Sequence, residues 1–231
     1  MNLEIIPMFN KSLLALVLAA ASGSAFAAPI ANLKIDGKVT PPTCTINGEE
    51  QGELLVNFGA VSPTWLLATG LTSEDFKLVG TQTVPLTISC DAQTYMTFIP
   101  VDTYAGRDVG LVNRSALVAA SDTSILVGNS YFEMSNMTVD GKTAFLGRET
   151  SAYGAANGTI PVPGARAAWT SEMQTNVASS AFKMVAGKVF AADLQVYARL
   201  YSKARLQAAN LDLTEQIDYI GENVLAFNFG I

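Results

Sequence analysis

The sequence predicts an all-β sandwich that folds after export. Three features predict it. Apolar and polar residues alternate in short runs, Gly, Pro, Asn and Asp punctuate those runs, and the only two cysteines follow an export signal. The chain has 231 residues, a net charge of −6 and no histidine. An acidic chain without a basic stripe lacks the footprint of a nucleic-acid binder, so no nucleic-acid partner is expected.

The first element is a leader over residues 1–27. Lys11 precedes the apolar run Leu13–Ala21, and Ala25-Phe26-Ala27 supplies small residues for cleavage. That run is too short to span a bilayer, which takes about 20 residues. Met8 offers a second start with a more conventional leader. Cleavage after Ala27 leaves residues 28–231, with the net charge unchanged because the leader carries one lysine, Lys11, and one glutamate, Glu4.

The mature chain opens with ANLKIDGKV, which places Ala31, Leu33, Ile35, Gly37 and Val39 on one face of a strand. Pro41 and Pro42 have no N–H to give, so a ladder cannot run through them. Cys44 follows. Further along, ELLVNFGAV alternates, and TQTVPLTISCD presents Val84, Leu86, Ile88 and Cys90 on one side. An exported chain with Cys44 and Cys90 predicts one disulfide, against alternatives of free thiols or a metal site. Two cysteines without histidine make a poor metal site, since structural zinc takes four Cys or His ligands.

TYMTFIPV, SILVG, YFEMSNMTV and TAFLG continue the strand-like runs. SPTWLLATGLTSEDF reads as irregular or one-turn helical, and the turn-rich GAANGTIPVPGAR as a long surface loop, an insertion into the sandwich or a weak domain boundary. The chain closes with VFAADLQVYARLY and with EQIDYIGENVLAFNFGI, where Leu225, Phe227, Phe229 and Ile231 share a face.

Searches for chemistry return little. Without histidine, Ser-His-Asp and Cys-His arrangements are excluded. Ser180-Ala-Phe-Lys183 matches S-x-x-K, but its companion S-D-N and K-T-G segments are absent, and Phe182 and Met184 read as alternating strand residues. Asp102, Asp108 and Asp122 lack the spacing of a calcium loop. Trp65, Trp169, Tyr104, Tyr131 and Tyr153 are candidates to stack on sugars or to anchor a core. The expectation is a non-enzyme with no cofactor and no catalytic or metal residue.

The pieces LKIDGKVTPPTCTI, VNFGAVSP, VPLTISCDA, AGKVFAADLQV and DYIGENVLAFNF together resemble the chaperone–usher fimbrial subunits, or pilins. They look closest to a branch of fimbrial-like secreted proteins of Gram-negative bacteria. The chain departs from that pattern in having Gly230 rather than an aromatic residue next to last, and in its greater length. The resemblance implies an immunoglobulin-like sandwich over residues 40–231 that lacks one strand, with a long central insertion around 102–180. Residues 28–39 would be an arm that completes the next subunit by strand addition.

The implied partners are a periplasmic chaperone, docking along Leu225, Phe227, Phe229 and Ile231, an outer-membrane usher, neighbouring pilus subunits, and a host receptor or glycan. The implied location is the periplasm in transit, then a fimbrium at the cell surface. The alternative is a self-contained secreted sandwich or tip adhesin with a ligand site in its central region.

Overall fold

The computed structural model describes residue 34 and residues 40–66, 75–107, 109, 112–150, 159–214 and 216–229. The chain divides into two units, residues 1–40 and 41–231, and every element below belongs to the second. The leader and the expected arm positions Ala31, Leu33, Ile35, Gly37 and Val39 lie outside the described residues, as do Asp108, Tyr153 and Ile231.

The second unit is an all-β, two-sheet sandwich closed by one disulfide, as the alternation predicts. Sheet one runs β1 (Cys44–Ile46), β2 (Phe76–Thr94), β10 (Gly187–Tyr201), β5 (Asp122–Val139), β4 (Ser115–Ala119) and β11 (Tyr219–Ile220), with β6 (Lys142–Thr143) also on β5. Sheet two runs β12 (Asn223–Phe229), β3 (Met96–Asp102), β8 (Ala167–Thr170), β7 (Phe145–Arg148) and β9 (Gln174–Thr175). All pairings are antiparallel except that of β7 with β9.

Cys44 and Cys90 face each other across β1 and β2, with S–S at 2.02 Å. Just beyond, Asn47 and Gly48 both take positive φ, 51° and 92°, as a tight hairpin turn requires. Where β1 ends, the Asn47 side chain takes over its role. Its amide donates to the Pro85 carbonyl at 3.1 Å and accepts from the Thr87 N–H at 2.7 Å. Pro85 therefore turns its missing N–H toward this open edge and not toward β10, the one place a strand tolerates proline.

The core follows from the alternation. Leu86, Ile88 and Cys90 of β2 are buried while Thr87 between them is half-buried and Ser89 exposed. Phe190, Leu194, Phe132 and Met134 meet them from β10 and β5. Trp169 of β8 sits at the centre, fully buried, and its indole N–H donates to the Ala191 carbonyl at 3.3 Å. Its ring lies 5.7 Å from Phe190 and 5.5 Å from Phe98, and Phe98 lies 5.8 Å from Phe227 of β12. An aromatic chain thus crosses both layers and ends on the edge strand of sheet two.

A second apolar cluster gathers Leu117, Val127, Ala198, Leu200 and Leu206, the last on the short helix α1 (Lys203–Ala208). Ser202 caps that helix by accepting from the Arg205 N–H at 3.3 Å.

Residues 102–180, expected as an insertion, supply β4 to β9 of the two sheets themselves, with β5 next to β10 near the middle of sheet one. Within GAANGTIPVPGAR, expected as a surface loop, Ile160 and Val162 are buried. Phe182 and Met184 differ from the expected strand. Residues Ser179–Ala181 form a 3-10 turn, and Met184 makes only a single bridge to Thr170.

Candidate functional site: an apolar groove between the sheets

A groove of about 1280 Å³ opens between the two sheets of the second unit. Its floor is the inner face of sheet one, with Val84 and Leu86 from β2, Val196 and Leu200 from β10, and Phe132 from β5. One wall is the extended segment Gly52–Val61, the other the run from Gln216 into β12. Pockets for compact ligands hold roughly 300–1,000 Å³, so this groove is large and elongated for a small molecule.

Among the described residues, neither wall has a strand partner on the side that faces the groove. In Gly52–Val61 burial alternates. Leu54, Val56 and Phe58 are half-buried while Glu53, Leu55 and Asn57 are exposed, the pattern of a β-strand. Yet among the described residues this segment belongs to no strand and shares no backbone–backbone hydrogen bond with a neighbour. It is held by side chains: Phe58 packs over Gly80, and the Gln82 amide donates to the Asn57 carbonyl.

Across the groove, β12 pairs on one side only, with β3, in register from Asn223 opposite Asp102 to Phe229 opposite Met96. Among the described residues, no strand pairs with its other edge. Such an edge is a template for another strand.

The expected C-terminal face is partly assembled here. Leu225 and Phe227 are half-buried, line the groove and pack on the core, whereas Phe229 is exposed at the strand's end. Among the described residues, the sequence alternation that singled out this strand thus marks Leu225 and Phe227 as the groove residues.

Sequence reasoning missed the polar residues inside the sandwich. Ser130 and Asn223 line the groove; Ser115, the cross-strand partner of Ser130, donates its hydroxyl to Asn223 Oδ1 at 2.5 Å. Tyr219 also lines the groove, its hydroxyl buried without a partner, and burial raises its phenol above the ordinary range. A serine in an alternating run carries no sign of which neighbour it will meet. Charges sit at the rim: Glu50 and Glu53 on one wall, Asp218 and Glu222 on the other.

The remaining candidates are not brought together. Trp169 is core and unavailable to a sugar, which corrects its assignment as a stacking candidate. Tyr131 is stacked on Tyr197 at 4.4 Å, and the Arg114 guanidinium lies 3.6 Å over its ring. Lys77 lies 4.3 Å over Trp65. Tyr104 is half-buried and donates its backbone N–H to Asp102 at 2.9 Å.

The other Asp102 oxygen accepts from the Ala116 N–H at 2.9 Å, and Asp122 accepts from the Ser124 N–H at 2.9 Å and its hydroxyl at 2.6 Å. Among the described residues no three carboxylates or thiols gather as a metal site would need. Lys183 pairs with Glu172 at 2.7 Å at the surface.

An open apolar floor should take up a neutral fluorescent dye. We expect Nile red to brighten in the presence of the folded protein and Val196→Glu to cut that signal at least fivefold, with the far-UV circular dichroism unchanged. Val196 is half-buried on the floor, so a carboxylate there can reach solvent through the groove mouth. Equal brightness in the variant would mean that the dye sits elsewhere.

The fold and the groove define a class: disulfide-closed two-sheet β-sandwiches with an unpaired cleft between their layers. By sequence the chain belongs to the family described as "Protein of unknown function (DUF1120)", whose model matches residues 33–155, more than half of its 231 residues. No curated protein matches the chain.

Proposed function

We propose that this protein is a structural subunit of a fimbria or fimbria-like surface polymer, assembled by donor-strand exchange and serving cell adhesion. The observation that carries this reading is the groove itself: an apolar floor between two walls, each without a backbone partner among the described residues on the side that faces the cleft. A strand laid between Gly52–Val61 and β12 would satisfy both walls and fill the floor at once, which is strand addition.

The arm at residues 28–39 of a neighbouring copy has the right chemistry. Burying Leu33, Ile35 and Val39 is worth on the order of 5–9 kcal/mol before ordering costs. With those residues turned inward, Lys34 and Lys38 lie on the outer face of the arm. There they would run between the acidic rims formed by Glu50, Glu53, Asp218 and Glu222. An exported chaperone that lends a strand to the same groove would keep it covered until a subunit arrives, and an outer-membrane usher would then oversee the exchange.

The test is the assembly state of the exported protein. By light scattering, purified residues 28–231 should form polymers that grow with time, and a chain lacking residues 28–39 should fold but stay monomeric. Equal assembly by both chains would refute the arm. A stable monomer of the full mature protein would favour the self-contained sandwich instead.

A further inference from the structure

A separate cavity, of about 500 Å³, is lined by β5, by β7 and by Thr159 and Met173, and it shares no lining residue with the groove. Met134, Met137 and Met173 all face it, three of the five methionines beyond residue 27. The chain has few other soft donors to offer a metal. It has no histidine, and both cysteine sulfurs are tied up in the Cys44–Cys90 bond.

A local irregularity brings the first two thioethers onto one face. Residues three apart on a regular strand point to opposite sides of the sheet. Here Ser135 stands opposite Asp193 and Thr138 opposite Ala191, so Asn136 and Met137 together face the single residue Ala192. That is a β-bulge, and Asn136 takes a φ of 50°, a left-handed value that asparagine tolerates. Its side-chain amide donates to Asp193 Oδ2 at 2.7 Å and pins the bulge. Met137 thereby turns to the core side with Met134, and both are buried.

Met173 arrives from the bend between β8 and β9 and is 45% exposed. The bend is held from both sides. The Thr170 hydroxyl donates to the Glu172 carbonyl at 2.7 Å, and the Ser171 N–H to the Lys183 carbonyl at 2.9 Å. Methionine often serves as pliable core filling. That role accounts for Met134 and Met137. It does not account for Met173, which lines the same cavity with nearly half its surface in water.

We propose that Met134, Met137 and Met173 form a binding site for monovalent copper. Thioethers are soft, uncharged ligands, and they select Cu(I) over magnesium and calcium, which take oxygen donors. Zinc prefers thiolate, imidazole or carboxylate, none of which lines this cavity. Met173 is the ligand that an arriving ion meets first, and the two buried thioethers then replace its water. The site stands independently of the strand-addition reading.

Competition for copper tests it. The exported protein is titrated against the coloured bicinchoninate complex of Cu(I), without oxygen and with ascorbate to keep the metal monovalent. The natural protein should withdraw one equivalent. Met173→Leu and Met137→Leu, changes that conserve side-chain volume, should each weaken uptake at least tenfold. Met184→Leu alters a methionine outside the cavity and should bind as the natural protein does, and added zinc should not displace the copper.

Failure of the natural protein to take up copper would overturn the site. So would undiminished uptake by either Met173→Leu or Met137→Leu, an equal loss in Met184→Leu, or displacement by zinc. Met173 is a surface residue, so Met173→Leu keeps the test decisive should Met137→Leu not fold.

Discussion

Replacing Trp169 by alanine should lower the unfolding free energy by about 4 kcal/mol, the usual cost of removing a fully buried tryptophan. The side chain is the centre of the aromatic chain from Phe190 through Phe98 to Phe227, and its indole N–H serves the Ala191 carbonyl of the opposite sheet. Truncation therefore leaves a cavity between the layers and an acceptor without its donor. Domains are stable by only about 5–15 kcal/mol, so much of the margin would go. Urea denaturation followed by circular dichroism measures it, and Trp169→Phe should recover a good part of the loss. A cost under about 1 kcal/mol would show that Trp169 does not hold the two layers together.

The second large effect is expected at the disulfide. A chain with Cys44→Ser and Cys90→Ser should lose about 4 kcal/mol, because a bridge spanning 46 positions restricts the unfolded chain by about that much in the entropy model. The native state offers little to offset it. β1 is three residues long, and among the described strands it pairs with β2 alone, at Cys44–Cys90, Thr45–Ser89 and Ile46–Ile88. The same comparison made with the natural protein in reductant should give the same shift. If the double variant unfolds at the natural midpoint, β1 is held by something other than its bridge.

Much of the fold was legible because β-strands advertise themselves by period. In TQTVPLTISCD the inward residues Leu86, Ile88 and Cys90 are the buried ones, and NVLAFNF places Leu225 and Phe227 inward as the alternation requires. The cysteine pairing followed from there being two. What escaped the sequence depends on encounters between distant segments.

ELLVNFGAV alternates like a strand, yet nothing local announces that its backbone would find no strand partner among the described residues. Ser115 and Ser130 read as ordinary polar residues until their strands meet and bury them. The indole of Trp169 suits a sugar platform or a core equally well, and only the arrival of Phe98, Phe190 and the Ala191 carbonyl decides between them.

The pairing of β12 with β3 has a consequence for timing. β3 is synthesised long before β12, and without that late partner one margin of sheet two stays bare. Contacts so distant along the chain form slowly. The cleft cannot exist as a bounded channel until this strand docks, because the strand is one of its banks. On the strand-addition reading proposed above, an occupant would find its channel only in a nearly finished molecule.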